Sequence, residues 1–389
     1  MRDYEKIRSA IIRGGTSKGV FILKNDLPAD PETRDKVILS IYGGTDERQI
    51  DGLGGADSLT SKLAIVSVSA RPDADIDFTF GQVGIGTGKI DYHSNCGNIL
   101  SGVGPFAIDE GLVPVQTPCT KVRIFNTNTN TIIEAAVPVE AGKSISTGDY
   151  TIDGVPGKGA KIILDFKNAS GAKTGRLFPT RQRKETLITD AGNFDVSIVD
   201  LAAPVVFVQA NQLGLTGTEL SAQLTEKHLW TLENIRSHAA QKIGFVANTE
   251  DATKVTPSSP KIIMVSPSQT YSTMHGETVD ATSVHLTARA MSMQKMHKTF
   301  PVTGGLCTAA AARLQGTVVH DCSAYPGRDE IIIGHPSGSM EFSISCKDTD
   351  NDVQFEKTAV ARTSRRLMEG YSYVPKELYW NGIESAFGV

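Results

Sequence analysis

The chain has 389 residues, 40% hydrophobic and 21% charged, with a formal net charge of −4. That length outgrows one ordinary core, so two domains are expected, and the mildly acidic balance argues against a nucleic-acid binder. No apolar run approaches the roughly 18–20 residues of a membrane span, the start Met1-Arg2-Asp3-Tyr4-Glu5-Lys6 lacks the apolar core of a signal peptide, and five widely spaced cysteines (Cys96, Cys119, Cys307, Cys322 and Cys346) oppose a disulfide framework, so a reducing cytoplasm is the expected location.

Short apolar runs at 10–12 and 20–23 flank Gly14-Gly15-Thr16-Ser17-Lys18-Gly19, which predicts strand, glycine-rich loop, strand. Residues 30–42 predict a helix. Asp30 is a natural N-cap, Pro31 suits the first helical position, Val37, Ile38 and Ile41 share a face, and Gly43-Gly44 ends it. Strands are predicted at 62–68, 76–80 and 122–125. Residues 98–110 predict a helix of small residues that Pro105 should kink or split. Residues 146–171, rich in Gly, Ser and Asp, predict hairpins, and the polar stretch 176–195 holds the expected domain boundary. The expected domains are 1–188 and 189–389, with the extreme C-terminus packing back on the first. In the second half, strands are predicted at 196–200, 205–208, 261–265 and 331–333, and helices at 224–240 and 281–298. The mixture is α+β with strands dominant. One echo links the halves: Cys96 and Cys307 each stand ahead of a run of small residues, Gly97-Asn98-Ile99-Leu100-Ser101-Gly102 and Thr308-Ala309-Ala310-Ala311-Ala312. Chance and duplication both account for it.

Two segments carry candidate chemistry. Lys62 ends Ser58-Leu59-Thr60-Ser61-Lys62 and opens an apolar run. A lysine at the mouth of a buried strand loses solvation, which turns an amine toward a useful base; the alternative, which spacing alone favours, is a surface lysine at a strand end. Cys96 sits in Ser94-Asn95-Cys96-Gly97-Asn98, just ahead of a predicted helix. Amides there favour a thiolate and suit a carboxylate or an enolate; a buried structural cysteine is the alternative. The loop 14–19 offers amides, two hydroxyls and a cation to an anion, or is an ordinary turn. Neither it nor Gly84-Ile85-Gly86-Thr87-Gly88-Lys89 has P-loop spacing, and no dinucleotide fingerprint opens a helix after a strand. Gly334-His335-Pro336-Ser337-Gly338 either lines a cleft at a strand end or makes a turn. Met296-His297-Lys298 ends a predicted helix. The eight histidines lack HxxxH or HxH spacing, which argues against a metal site, and no GxSxG elbow is present.

In this order, Arg13-Gly14-Gly15-Thr16-Ser17-Lys18-Gly19, Gln49-Ile50-Asp51-Gly52-Leu53-Gly54-Gly55-Ala56-Asp57, Leu59-Thr60-Ser61-Lys62, Asn95-Cys96-Gly97-Asn98, Gly102-Val103-Gly104-Pro105-Phe106-Ala107-Ile108, Met296-His297-Lys298, Gly316-Thr317-Val318 and Gly334-His335-Pro336-Ser337-Gly338 resemble the PrpF-type isomerases over nearly the whole chain. The resemblance implies the diaminopimelate-epimerase-like fold: two similar domains, each a curved mixed sheet around a central helix, with the active site in the cleft between them. It implies a cofactor-independent isomerase, with no metal, acting by a 1,3-allylic proton shift on a small anionic unsaturated di- or tricarboxylate. The version of the lysine segment here, with Ser197-Ile198-Val199-Asp200-Leu201-Ala202-Ala203-Pro204, favours 3-methylitaconate to 2,3-dimethylmaleate. The other activities of the group are 4-oxalomesaconate tautomerase, aconitate Δ-isomerase and 2-methylaconitate isomerase; an amino-acid epimerase or a non-catalytic carboxylate binder is the alternative of a different class. Lys62 and Cys96 are then the expected catalytic pair, and Thr16, Ser17, Ser94, Asn95, Gly97, Asn98, Lys298, Thr303 and Ser337 the expected substrate-binding set. Cys307 lacks the glycine that follows the epimerase thiol, so a symmetric two-thiol mechanism does not fit. A homo-oligomer, dimer or tetramer, is expected, with neither nucleic acid nor membrane as partner.

Overall fold

The computed structural model describes residues 3–92, 95–166, 169–324, 329–349 and 352–379. The chain divides into two units, Met1–Leu164 with Arg362–Val389, and Asp165–Ala361. The division thus falls at 164/165 rather than 188/189. The physical reason is that Glu185–Thr189 pairs antiparallel with Gly192–Leu201, from Glu185 opposite Val196 to Thr189 opposite Gly192, so the polar stretch is an edge strand of the second unit and not a linker.

In the first unit, β1 (Tyr4–Gly14) and β2 (Ser17–Leu23) form a hairpin turned by Gly15-Thr16, with Gly15 at φ +51°. α1 (Pro31–Tyr42) follows. Asp30 Oδ2 accepts the Thr33 amide at 2.8 Å and Gly43 closes the helix at φ +63°, as the cap residues require. β3 (Lys62–Val68) lies parallel to β2, β4 (Ile76–Val83) antiparallel to β3, and β5 (Ile90–Asp91) folds back on β4. The predicted helix over 98–110 is two pieces, α2 (Gly97–Leu100) and α3 (Val103–Asp109). The break falls at Ser101-Gly102 and not at Pro105. Pro105 is the third residue of α3, in the first turn, where its missing N–H has no intrahelical acceptor to lose. β6 (Cys119–Asn126) then runs parallel to β4, and β7 (Thr131–Glu140) antiparallel to β6.

Strand β2 shows how the layers pack. Val20 and Ile22 join a cluster with Val37, Ile38 and Ile41 of α1, while Phe21, from the opposite face, meets Phe106 of α3 at 5.6 Å between ring centroids. The sheet is therefore covered on both faces at β2, where every residue from Gly19 to Ile22 is buried. Small residues on the inner helix let the sheet close on it: a Cβ on Gly102 would stand 2.8 Å from Phe21 Cζ, and one on Gly104 2.8 Å from Val137 Cγ2.

The second unit repeats this winding. β8 (Gly192–Leu201) and β9 (Ala203–Gln209) form a hairpin turned at Ala202, φ +60°. α4 (Glu226–Lys242) leads to β10 (Lys261–Pro267), parallel to β9; β11 (Leu286–Ser292) is antiparallel to β10, and β12 (Lys295–Met296) folds back on it. The buried α5 (Val302–Arg313) is followed by β13 (Glu330–His335), parallel to β11, and β14 (Gly338–Thr349), antiparallel to β13. The match runs element by element, β1 with β8 through β7 with β14, and makes the two units duplicates. α4 covers one face through Leu232 and Ile235, which pack with Val206, Val208, Ile262 and Met264. The chain closes with β15 (Ser364–Pro375), which returns to pair with β1 from Tyr4 opposite Pro375 to Gly14 opposite Ser364.

Three expectations change. Residues 281–298 are not a helix: a short 3₁₀ turn at Ala281–Ser283 precedes β11 and β12. Every residue from Leu286 to Met291 is buried, so the run lacks the alternation of a half-exposed strand. Met296-His297-Lys298 accordingly leaves a hairpin instead of ending a helix. The stretch 146–171 shows two isolated bridges, Tyr150 with Gly159 and Ser170 with Leu201, and the strand Ile162–Asp165, with 167–168 outside the described residues. Finally, Cys307 lies in the middle of α5; the position that matches Cys96, the residue capping the inner helix, is Pro301. Among the described residues no helix is long and apolar enough to cross a membrane.

Candidate active site

The β1–β2 turn, the start of β3 and the start of α2 meet in the first unit. Glycines permit the approach. A Cβ on Gly14 would overlap the Asn98 carbonyl, one on Gly15 the Asn98 side chain, and one on Gly19 the Lys62 carbonyl, with Ile99 Cδ1 3.2 Å away. The Thr16 amide donates to Asn98 Oδ1 at 3.3 Å, and the Lys18 amide to Leu59 O at 2.8 Å. Ser17 is buried, and among the described residues its hydroxyl has no hydrogen-bond partner. Beneath the turn, Arg13 Nη1 donates to Gly15 O at 2.9 Å and Thr363 O at 3.0 Å, and the Arg362 side chain lies 3.2 Å from where a Gly15 Cβ would be. Burial pulls Arg362 down to about 10, which leaves it a cation at neutral pH. The turn thus offers an anion an unpartnered hydroxyl over buried positive charge. Gly15→Ala is expected to lower stability by about 1–3 kcal/mol, read from urea unfolding, because the new methyl meets Asn98 at a left-handed backbone position.

Lys62 is the first residue of β3 and only 8% exposed. Its Nζ donates to Gln82 Oε1 at 2.9 Å and lies 5.3 Å from the centre of the Phe80 ring. Its backbone is pinned from behind: Tyr42 Oη donates to the Lys62 carbonyl and accepts the Val20 amide at 3.1 Å. Burial holds the Tyr42 phenol far above its usual range, so it stays a donor. The preceding Ser61 is fully buried and donates to Gln49 Oε1 at 2.6 Å, which also accepts the Ala56 amide at 2.8 Å. This is what the Gln49-to-Asp57 segment does: it wraps the residues leading into Lys62.

Cys96 is half-buried and caps α2 with extended backbone angles, φ −130° and ψ 100°. Gly97 and Asn98 follow, both buried, with first-turn amides that have no acceptor within the helix. Asn95 Oδ1 accepts from Asn126 Nδ2 at 2.8 Å. Asn126 Oδ1 in turn accepts the Asn128 and Thr129 amides, and Asn128 bridges Phe80 and Tyr92. The turn between β6 and β7 therefore holds the thiol segment in place. The sequence signal for it was the repeat Asn126-Thr127-Asn128-Thr129-Asn130-Thr131, which carried no assigned role; Gln82 had no signal at all. Ser94 lies outside the described residues.

In the second unit, Ser337 and Lys298 come together: Ser337 Oγ donates to Lys298 O at 2.6 Å, and the Ser337 amide donates to His335 Nδ1 at 3.2 Å. Tyr271 Oη donates to the carbonyls of His335 and Gly338, at 3.1 and 2.6 Å, on either side of this turn. Thr303 is buried in the first turn of α5. Cys307 is fully buried with its Sγ 3.4 Å from Val199 O, and burial pushes its thiol well above the usual range. It is unsuited to proton transfer at neutral pH. Among the described residues no group of three or more His, Cys, Asp or Glu is arranged to hold a metal ion.

The chain is 47% identical over 380 residues to a 3-methylitaconate isomerase of Eubacterium barkeri, covering 97% of this chain and 99% of that one. Its structure matches a crystal structure of methylitaconate-delta-isomerase with a TM-score of 0.82 at 46% identity, over 97% of each chain. A hydroxyproline epimerase from Agrobacterium vitis matches with a TM-score of 0.55 at 11% identity over 96% of this chain and 94% of that one, a likeness of fold alone. With the PrpF protein pattern running through residues 4–375, across both duplicated units, the chain is a member of the PrpF family of isomerases.

Proposed function

We propose that this enzyme moves a carbon–carbon double bond by a 1,3-allylic proton shift in a small unsaturated dicarboxylate, converting 3-methylitaconate to 2,3-dimethylmaleate. The observation that carries the reading is the end-to-end likeness to a 3-methylitaconate isomerase; a buried lysine held by a neutral amide supports it. In 3-methylitaconate one C–H lies between a carboxylate and the double bond, and both acidify it. Lys62 takes that proton. The electron pair spreads over the allyl system and its carboxylate as a dienolate. A proton then adds at the terminal methylene, which becomes a methyl group, and the double bond comes to rest between the two carboxylate-bearing carbons. No electrons leave the substrate, so the step itself calls for neither metal nor nicotinamide. Cys96 either returns the proton or positions the anion. The amides of Gly97 and Asn98, with Thr16 and Ser17, meet the developing charge, Asn95 adjoins them, and Lys298, Thr303 and Ser337 bind a carboxylate. The reading places the enzyme in the cytoplasm as a homo-oligomer, the common state of metabolic enzymes.

The test is turnover in deuterated water, followed by proton NMR, with 3-methylitaconate, trans-aconitate, 2-methylaconitate and 4-oxalomesaconate. Deuterium in the new methyl of 2,3-dimethylmaleate is the expected result. Label at a stereocentre with unchanged unsaturation would make the protein an epimerase, and preference for another substrate would reassign it within the family. In Cys96→Ser, a loss below about tenfold assigns positioning, and a loss of about 10²-fold or more assigns proton return.

A further inference from the structure

Lys62 and Gln82 face each other across the β3–β4 ladder. Gln82 Nε2 donates to Ser61 O at 3.1 Å and Ser58 O at 3.2 Å. Carbonyls only accept, so these two bonds fix which end of the amide is nitrogen and leave Oε1 turned to Lys62 Nζ. From this geometry we propose that Gln82 is the positioning residue that presents Lys62 as a proton acceptor, an inference that rests on Lys62 being the base.

A carboxylate at this place would hold the lysine as an ammonium ion pair, whereas a neutral amide oxygen takes one N–H without fixing the charge. With that N–H committed to Gln82, the remaining tetrahedral directions of Nζ, the lone pair among them, point away from Gln82. The Phe80 ring on the same strand limits the motion of the amine. The ionisable groups on the surrounding segments are Tyr42 behind the Lys62 carbonyl, Asp57 in the preceding turn, Lys18 beside Gly19, and Asp91 opposite Gln82 on β5. Among the described residues none of them forms an ion pair with Lys62, and Gln82 is the acceptor at its Nζ.

The test compares Gln82→Glu, Gln82→Met and Lys62→Ala in the full chain, with kcat and KM for 3-methylitaconate measured across pH 5–10 and thermal unfolding as a check on folding. Both Gln82 variants lose the donors to the Ser58 and Ser61 carbonyls, so each controls for that loss in the other. In Gln82→Glu the acid limb of the kcat/KM profile moves to higher pH by about one unit or more. In Gln82→Met it moves to lower pH, and kcat falls about 10- to 100-fold with KM within about twofold. Opposite displacements cannot come from a general loosening of the strand. Limbs that coincide with the wild type in both variants, with Lys62→Ala inactive, overturn this inference and leave the base assignment standing. An active Lys62→Ala overturns the base assignment and this inference with it. If one Gln82 variant does not fold, the displacement in the other decides.

Discussion

Lys62→Ala is expected to isomerise 3-methylitaconate about 10³-fold more slowly than the wild type while keeping its fold. General-base catalysis by a positioned side chain accounts for a factor of about 10²–10⁴, and no other amine, imidazole or carboxylate hydrogen-bonds with Lys62 Nζ among the described residues. The fold should survive because the structural bond at this residue is made by its backbone, whose carbonyl accepts from Tyr42. The side chain contributes one hydrogen bond to a half-buried amide, worth about 1 kcal/mol. Lys62→Arg should be no better than the alanine variant, since a guanidinium keeps its charge and cannot accept the proton. Initial rates from NMR, with circular dichroism to check the fold, decide the matter; a rate within tenfold of the wild type would move the base to another residue.

Arg289→Met should give the largest loss of stability, about 3–5 kcal/mol, read from denaturant unfolding. Arg289 is fully buried in β11. Its guanidinium donates to Glu219 O at 2.7 Å, Ala288 O at 2.9 Å and Thr218 O at 2.9 Å, and stacks 4.9 Å over the Tyr271 ring. Burial pulls it down to about 10, so it is charged across the working range. Methionine fills the space but strands those carbonyls without donors. Lysine should recover only part of the loss, because a single ammonium cannot reproduce the planar fork. The effect should reach further than stability. Tyr271 holds the carbonyls on both sides of Ser337, and Ser337 holds Lys298, so KM should rise in this variant even where it remains folded.

What could be read from the sequence was what local rules encode. α1 announced itself through Asp30, Pro31 and Gly43, each of which makes the bond or backbone angle its type favours. The hairpin at Gly15-Thr16 and the strand that opens at Lys62 followed from turn residues and apolar runs. The segment over 281–298 did not, because Ala288, Ala290 and Met291 favour helices in isolation and only the flanking strands β10 and β13 make a strand of them. The cysteine echo pointed to a duplicated inner helix, which is present, but not to matching thiols. Composition around Cys307 resembled that around Cys96, but the thiol's place along the helix, not its neighbours, decides whether it meets solvent. Gln82 was invisible because its role depends on standing opposite Lys62, and pairing register is not written in either strand alone.

The return of β15 to β1 has a consequence for the order in which the protein is made. The second unit is continuous from Asp165 to Ala361, so all of it is synthesised before Ser364–Pro375. Until then β1, with Arg13 and Gly14 at its end, is an open edge on one side. Translation therefore finishes the half without the proposed proton carriers first. The half that holds Lys62 and Cys96 is closed by a strand that is made after the whole of the second unit.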